Sequence, residues 1–182
     1  GNLGSTFNSN LSGVDAGDLV TFGVVVENTG SRSAFDVRMR DTLPAGFSLP
    51  VGGLNLCVTD GTGSPIAYSA LGTGFFDAAG GIELTDPGPT PIPAGALDPG
   101  RDASGTTITT GRNVAVITYD LQLDGSVAPN QVITNTATLF NYAGVEGGAN
   151  HVPGGLTDLA TVTTALPVVA KTITGTNQAH TL

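Results

Sequence analysis

The chain has 182 residues, only 12% of them charged, and its 6 basic and 15 acidic side chains leave a net charge of −9. An ordinary soluble domain carries about 25% charged residues. Lys171 is the single lysine, so there is no cationic cluster to line a nucleic-acid groove or hold an anionic membrane. No apolar run approaches the ~18 residues of a membrane span. The length fits one large domain, or a small one with a long insertion.

Val, Ile and Thr recur in runs, Gly (27) and Pro (11) punctuate them, and no stretch carries helical periodicity between caps. The fold class expected is all-β. Residues 1–17 are polar and broken by four glycines, so no element is expected there. The opening residues carry no signal-peptide pattern, so export would imply a mature or excised form. Residues 18–27, DLVTFGVVVE, place Val20, Phe22, Val24 and Val26 on one face of a strand. After the turn Asn28-Thr29-Gly30-Ser31, residues 34–41 alternate again. Phe35, Val37 and Met39 point in, and Asp36, Arg38 and Arg40 point out. The two strands are expected to pair as a hairpin or as Greek-key neighbours. A short strand follows at 46–50.

Gly and Pro fill 20 of the 63 positions from 50 to 112. The run Asp86 to Gly95 holds four prolines, which cannot supply ladder donors to a central strand. This stretch reads as a decorated, partly ordered insertion with minor strands near 54–58, 66–70 and 73–76. Regular structure returns at 113–123, where Ala115, Ile117, Tyr119, Leu121 and Leu123 face the core. In the strand 131–140 the inward set is Ile133, Asn135, Ala137 and Leu139, which puts an amide on an apolar face. A glycine-rich loop at 143–156 holds His151. A last strand spans 157–164, and a strand-like tail begins at Val168.

Three motifs stand in order: Glu27-Asn-Thr-Gly-Ser31, Asp41-Thr-Leu-Pro-Ala-Gly46 and Ile133-Thr-Asn-Thr-Ala-Thr138. This order resembles the tandem repeat called domain of unknown function eleven, over roughly 15–50 and 113–174. The resemblance implies an immunoglobulin-like antiparallel β-sandwich of bacterial or archaeal surface proteins, here spanning 1–166 and interrupted by the insertion at about 51–112. Repeats of that family begin with a strand containing a Lys-Thr or Lys-Ser pair. In this chain the pair is Lys171-Thr172, at the other end, so residues 167–182 look like a first strand displaced to the C-terminus. The head of the chain has no such strand, which would leave a sheet edge and part of a core open. The tail then either folds back, begins a next repeat, or is donated to a neighbouring copy. In the last case Val168, Val169, Lys171 and Ile173 form the strand-exchange interface, and head-to-tail donation builds open fibres.

The chemistry available is narrow. There is no Gly-x-Ser-x-Gly elbow, no zinc pattern and no phosphate-binding glycine loop, and Cys57 is expected to be buried and inert. No cofactor is called for. Calcium is the one candidate metal, with Asp98 and Asp102 four apart in the insertion and Asp15 and Asp18 before the first strand. Some surface immunoglobulin-like modules join Lys to Asn through an isopeptide bond. Here that would be Lys171 and Asn135, with Asp41 or Glu27 as the assisting acid. The expected role is a non-catalytic extracellular or cell-surface subunit whose partners are copies of itself or adjacent repeats. The alternatives are an adhesin using loops 51–112 and 143–156, with Tyr68, Phe75 and Phe76 as possible platforms, and an accessory domain of a secreted enzyme.

Overall fold

The computed structural model describes residues 9–89 and 93–172. Twelve strands and no helix occur among them. In chain order they are β1 (Asn10–Val14), β2 (Leu19–Glu27), β3 (Phe35–Thr42), β4 (Phe47–Ser48), β5 (Cys57–Asp60), β6 (Tyr68–Leu71), β7 (Gly81–Leu84), β8 (Gly88–Pro89), β9 (Pro93–Ala94), β10 (Val114–Leu123), β11 (Val132–Ala143) and β12 (Leu156–Thr164). One sheet runs β1-β12-β11-β3-β7-β6. The second runs β2-β10-β4, with β5 also pairing β10, and β8 and β9 form a separate ribbon. The all-β, immunoglobulin-like sandwich is therefore the fold, antiparallel except where β1 lies parallel on β12.

The period-two pattern explains the core. Ala115, Ile117, Tyr119, Leu121 and Leu123 of β10 are all buried, facing Val37, Met39 and Val162 from the six-stranded sheet. Strand β10 sits between β2 and the short strands β4 and β5, with Tyr119 opposite Phe22 and Val116 opposite both Val25 and Thr59.

Several expectations change. Strands β2 and β3 do not pair: they belong to different sheets, and the Asn28 turn carries the chain across the sandwich. Asn28 makes that crossing rigid. Its side chain accepts the Gly30 amide at 3.0 Å and donates to the carbonyls of Arg32 at 2.7 Å and Asp98 at 2.9 Å. The Gly/Pro-rich stretch is not a separate decoration. It supplies β6 and β7 to one sheet, β5 to the other, and Phe75, Ile82, Leu84 and Leu97 to the core. The piece at 73–76 is a turn rather than a strand. Near the N-terminus, β1 forms despite Gly13, whose φ of 82° coincides with a register shift between Ser12 and Val14. Asp36 is buried rather than outward, because its φ of 52° turns the side chain out of the alternating pattern.

Candidate functional site

Strand parity brings two of the three sequence motifs together. Asp41 pairs with Ala137 across β3 and β11, and Asn135 lies two residues along β11 on the same inward face. Tyr119 of β10 meets them from the opposite sheet. Its hydroxyl donates a short hydrogen bond to Asp41 Oδ2 and accepts one from Asn135 Nδ2 at 2.7 Å. Asn135 Nδ2 also donates to Asp41 Oδ2 at 3.3 Å, and the Thr42 amide donates to Asp41 Oδ1 at 2.6 Å. Phe22 stacks on the Tyr119 ring, while Phe75 and Phe76 meet it edge-on, with centroids 5.1–5.6 Å away. The 73–76 turn is held against the site by the Asp41 amide, which donates to the Phe75 carbonyl at 3.0 Å.

This cluster is polar, buried and incompletely satisfied. Asp41 is 2% exposed and Asn135 is 5% exposed. Burial pushes the Asp41 carboxyl above its ordinary range, against the hydrogen bonds from Tyr119, Thr42 and Asn135 that pull it down. Burial also raises the Tyr119 phenol, helped by the charge of Asp41, so Tyr119 remains a donor. Asn135 Oδ1 has no hydrogen-bond partner among the described residues. An orphaned buried acceptor costs ~1–3 kcal/mol.

Above the cluster lies a groove of about 550 Å³ lined by Leu11, Val20, Phe22, Val24, Tyr119 and Asn135, among others. Its walls are two sheet margins. Strand β2 ends the four-stranded sheet and, among the described residues, pairs only with β10, while β1 and β12 form the margin of the other. The described part of the tail, as far as Thr172, does not line the groove. Val168 and Val169 are 89% and 94% exposed, Lys171 is exposed, and residues 165–172 form no strand. The expected strand thus does not form in the described part of the tail, and Ile173 lies outside the described residues. Lys171 and Asn135 are not brought together: Lys171 stands in solvent while Asn135 is in the core. Of the two acids considered, Asp41 is at Asn135. Glu27 sits opposite Val114 at the far end of β2.

Asp102 accepts from the Ser104 hydroxyl at 2.6 Å and the Ser104 and Thr106 amides at 2.9 Å, so it caps its own turn. Asp18 likewise accepts the Asp15 amide at 2.8 Å. Neither Asp98 nor Asp102 joins a group of three potential ligands among the described residues. Instead Asp36, Asp86 and Glu146 bring carboxylate oxygens within 4.8 Å of one another, a set that could offer oxygens to a hard cation. Sequence spacing gave no hint of it, because the three acids come from three remote segments and Asp36 breaks the alternation. Cys57 is exposed, not buried. Phe75 is core, Phe76 packs against it, and Tyr68 is half-exposed with its hydroxyl 3.5 Å from the Leu56 carbonyl.

The acid trio sets a pH dependence. Burial, with the charge of Glu146, pushes the Asp86 carboxyl up to about 6, despite the Asp36 and Ala96 amides that donate to it. A carboxyl raised on folding contributes stability that is full below about 4 and lost as pH rises through about 6. Asp86 is partly solvated, so the loss is discounted to ~1 kcal/mol. Urea unfolding at pH 4.5 and 7.5 is expected to show Asp86→Asn losing less stability over that interval than the parent chain. Equal losses would remove Asp86 as the cause.

No protein-family model and no curated protein sequence matches the chain. Solved structures do. The chain is similar in fold to a pilus backbone protein. The pilus backbone RrgB from Streptococcus pneumoniae aligns at 16% identity and a TM-score of 0.51, over 77% of this chain and 47% of that one. The full-length RrgB pilus protein aligns at 16% identity and a TM-score of 0.43, over 79% of this chain and 20% of that one. AvmM, described as catalysing macrocyclization in alchivemycin A biosynthesis, aligns at 14% identity and a TM-score of 0.39, over 91% and 88%. The chain thus spans about half of the first RrgB structure. At these identities the likeness is one of fold.

Proposed function

We propose that the chain is a non-catalytic structural subunit or repeat of an extracellular bacterial filament or surface assembly, joined head-to-tail by a donated β-strand. The observation that carries this reading is the groove between β2 and β1, open along a strand edge that is unpaired among the described residues, in a chain whose own Val168 and Val169 stand exposed. An unpaired edge above apolar side chains is the substrate for strand addition: main-chain bonds supply affinity, and alternate side chains supply register. The occupant proposed is the tail of a second copy, from Val168 onward. The motif order shared with the surface-protein repeat and the sandwich shared with a pilus backbone domain support the same assignment.

Negative-stain microscopy of the intact chain and of a version lacking residues 167–182 tests it. Filaments from the intact chain and folded monomers from the truncation are the expected result. Monodisperse particles from the intact chain would sink the reading. Such a result would favour an adhesin, for which a second groove of about 590 Å³ beside Arg32, Tyr142 and His151 is the first place to screen for ligands.

A further inference from the structure

We infer that the donated strand enters the next copy at the end where β2 finishes and β12 begins, and runs antiparallel to β2 along its edge. The inference rests on the strand-donation reading and adds an entrance and a direction to it.

The two sheets share their ends. At one end, the base, lie the start of β2 and the close of β1, β10 and β12: Leu19 pairs with Gln122, and the Leu123 amide donates to the Asp18 carbonyl at 2.9 Å. At the other end, the top, Glu27 and Leu156 line the same groove of about 590 Å³. The base is closed between β1 and β2. There the Asp15–Asp18 turn carries the chain from one sheet to the other. The turn is fixed by the Asp18 amide on the Asp15 carbonyl at 3.0 Å and the Gly17 amide on the Leu123 carbonyl at 2.8 Å. No strand can thread beneath it.

The two grooves are halves of one channel. Val25 lines the 550 Å³ half and Val26 the 590 Å³ half, and on the facing sheet Ala137 gives way to Leu139 in the same direction. The channel opens toward the top. Strand β1 covers β12 only from Thr161 to Thr164, so Leu156–Ala160 have no partner on that side among the described residues. On β2 the inward Val20 and Phe22 are buried, but Val24 and Val26 are half-buried, and across from them Leu156 is exposed. The uncovered apolar surface is therefore greatest at the mouth, where an incoming chain makes its first contacts.

The donor leaves from the opposite end. Ala165 is pinned at the base, its amide donating to the Val14 carbonyl at 2.8 Å and its carbonyl accepting from Asn130 at 3.3 Å. A tail departing downward meets the top of a copy stacked below in the same orientation, which is an open head-to-tail contact. It then descends beside β2, which ascends, and the edge pairing is antiparallel. Pro167, which has no amide to give a ladder, stays outside the channel. Val168 and Val169, nearly fully exposed in the free chain, are the first apolar residues to reach the mouth. The nine residues of β2 offer an edge of ~30 Å, filled by about nine residues of tail.

Cysteine cross-linking of assembled chains tests the direction. Acceptor chains carry Thr21→Cys or Val25→Cys, on the outward face of β2. Donor chains carry single cysteines stepped from Val168 to Thr176. All carry Cys57→Ser, which removes an exposed thiol and leaves the core untouched. A disulfide formed under mild oxidation reports Cα atoms less than ~7 Å apart. The expected result is that the tail position joined to Thr21→Cys lies about four residues beyond the one joined to Val25→Cys, as antiparallel pairing requires. The reverse order would mean parallel entry from the base and overturn the inference. Tail-dependent filaments with no cross-link to either position would move the donated strand off β2, leaving donation itself standing. A disulfide within one chain between Phe7→Cys and Val25→Cys would give the channel to the chain's own head and overturn the inference. The absence of filaments from the parent chain would overturn donation as well as direction.

Discussion

Tyr119→Ala is expected to lower the unfolding free energy by ~3–5 kcal/mol, the range for truncating a buried aromatic. The side chain is 1% exposed and stands at the centre of a ring cluster made by Phe22, Phe75 and Phe76. Its removal leaves a void that strand backbones on both sides cannot close. It also strips Asp41 of the hydroxyl that donates to it and Asn135 of its nearest acceptor. Tyr119→Phe separates the two effects. That variant keeps the rings and removes only the hydroxyl, so ~1–3 kcal/mol should be lost, the cost of unpairing buried polar atoms. Urea denaturation with an unchanged m-value would measure both. If Tyr119→Phe loses as much as Tyr119→Ala, the hydrogen-bonded cluster rather than ring packing dominates this part of the core.

Gly81→Ala is the second large effect. Gly81 opens β7 with a φ of 133°, a backbone few side chains adopt. A Cβ there would strike the Met39 carbonyl oxygen and come within 3.1 Å of Arg40 Cβ. The obstruction is backbone on β3 and cannot rotate away. Strand β7 is joined to β3 through only two residue pairs, Arg38 with Glu83 and Met39 with Ile82, so the ladder has little to spare. The expected loss is ~2–4 kcal/mol, strain at a disfavoured φ plus the displaced pairing. Gly53→Ala is the control. Its φ is 88°, but nothing lies within 4 Å of the added carbon, so only the ~1 kcal/mol conformational cost remains. Thermal midpoints of the two variants should differ clearly. Equal midpoints would mean that β7 shifts freely on β3.

Much of this arrangement is legible in strand parity. Counting in twos from Phe35 reaches Asp41, and from Ile133 it reaches Asn135, so the amino-acid pattern alone assigns both polar residues to inward faces. Tyr119 follows by the same count from Ala115. What parity does not reveal is which strands adjoin, and hence that these three meet. The Asn28 crossing carries β2 and β3 into different sheets although their alternation suits a hairpin. Strands of four residues, such as β5, β6 and β7, are too short to display a period, and their partners lie far away in sequence. Cys57 shows the cost. Within β5, Val58 points in and Cys57 points out, but composition alone makes a lone cysteine look buried. Asp36 escapes the count for a different reason: its left-handed φ buries that one residue while Phe35, Val37, Met39 and Asp41 keep the alternation.

The one parallel pairing among the described residues gives the domain a preferred response to mechanical load. Strands β1 and β12 run the same way, with Asn10 beside Thr161 and Val14 beside Thr164. Tension applied before Asn10 and after Thr164 therefore pulls the two strands lengthwise past each other. The bonds that bracket the pair, Thr161 amide to Ser9 carbonyl and Ala165 amide to Val14 carbonyl, both at 2.8 Å, share that load instead of opening one after another. A ladder strained in shear must yield all at once, so stretching the chain end to end meets its resistance at the first and last strands, before the core is disturbed.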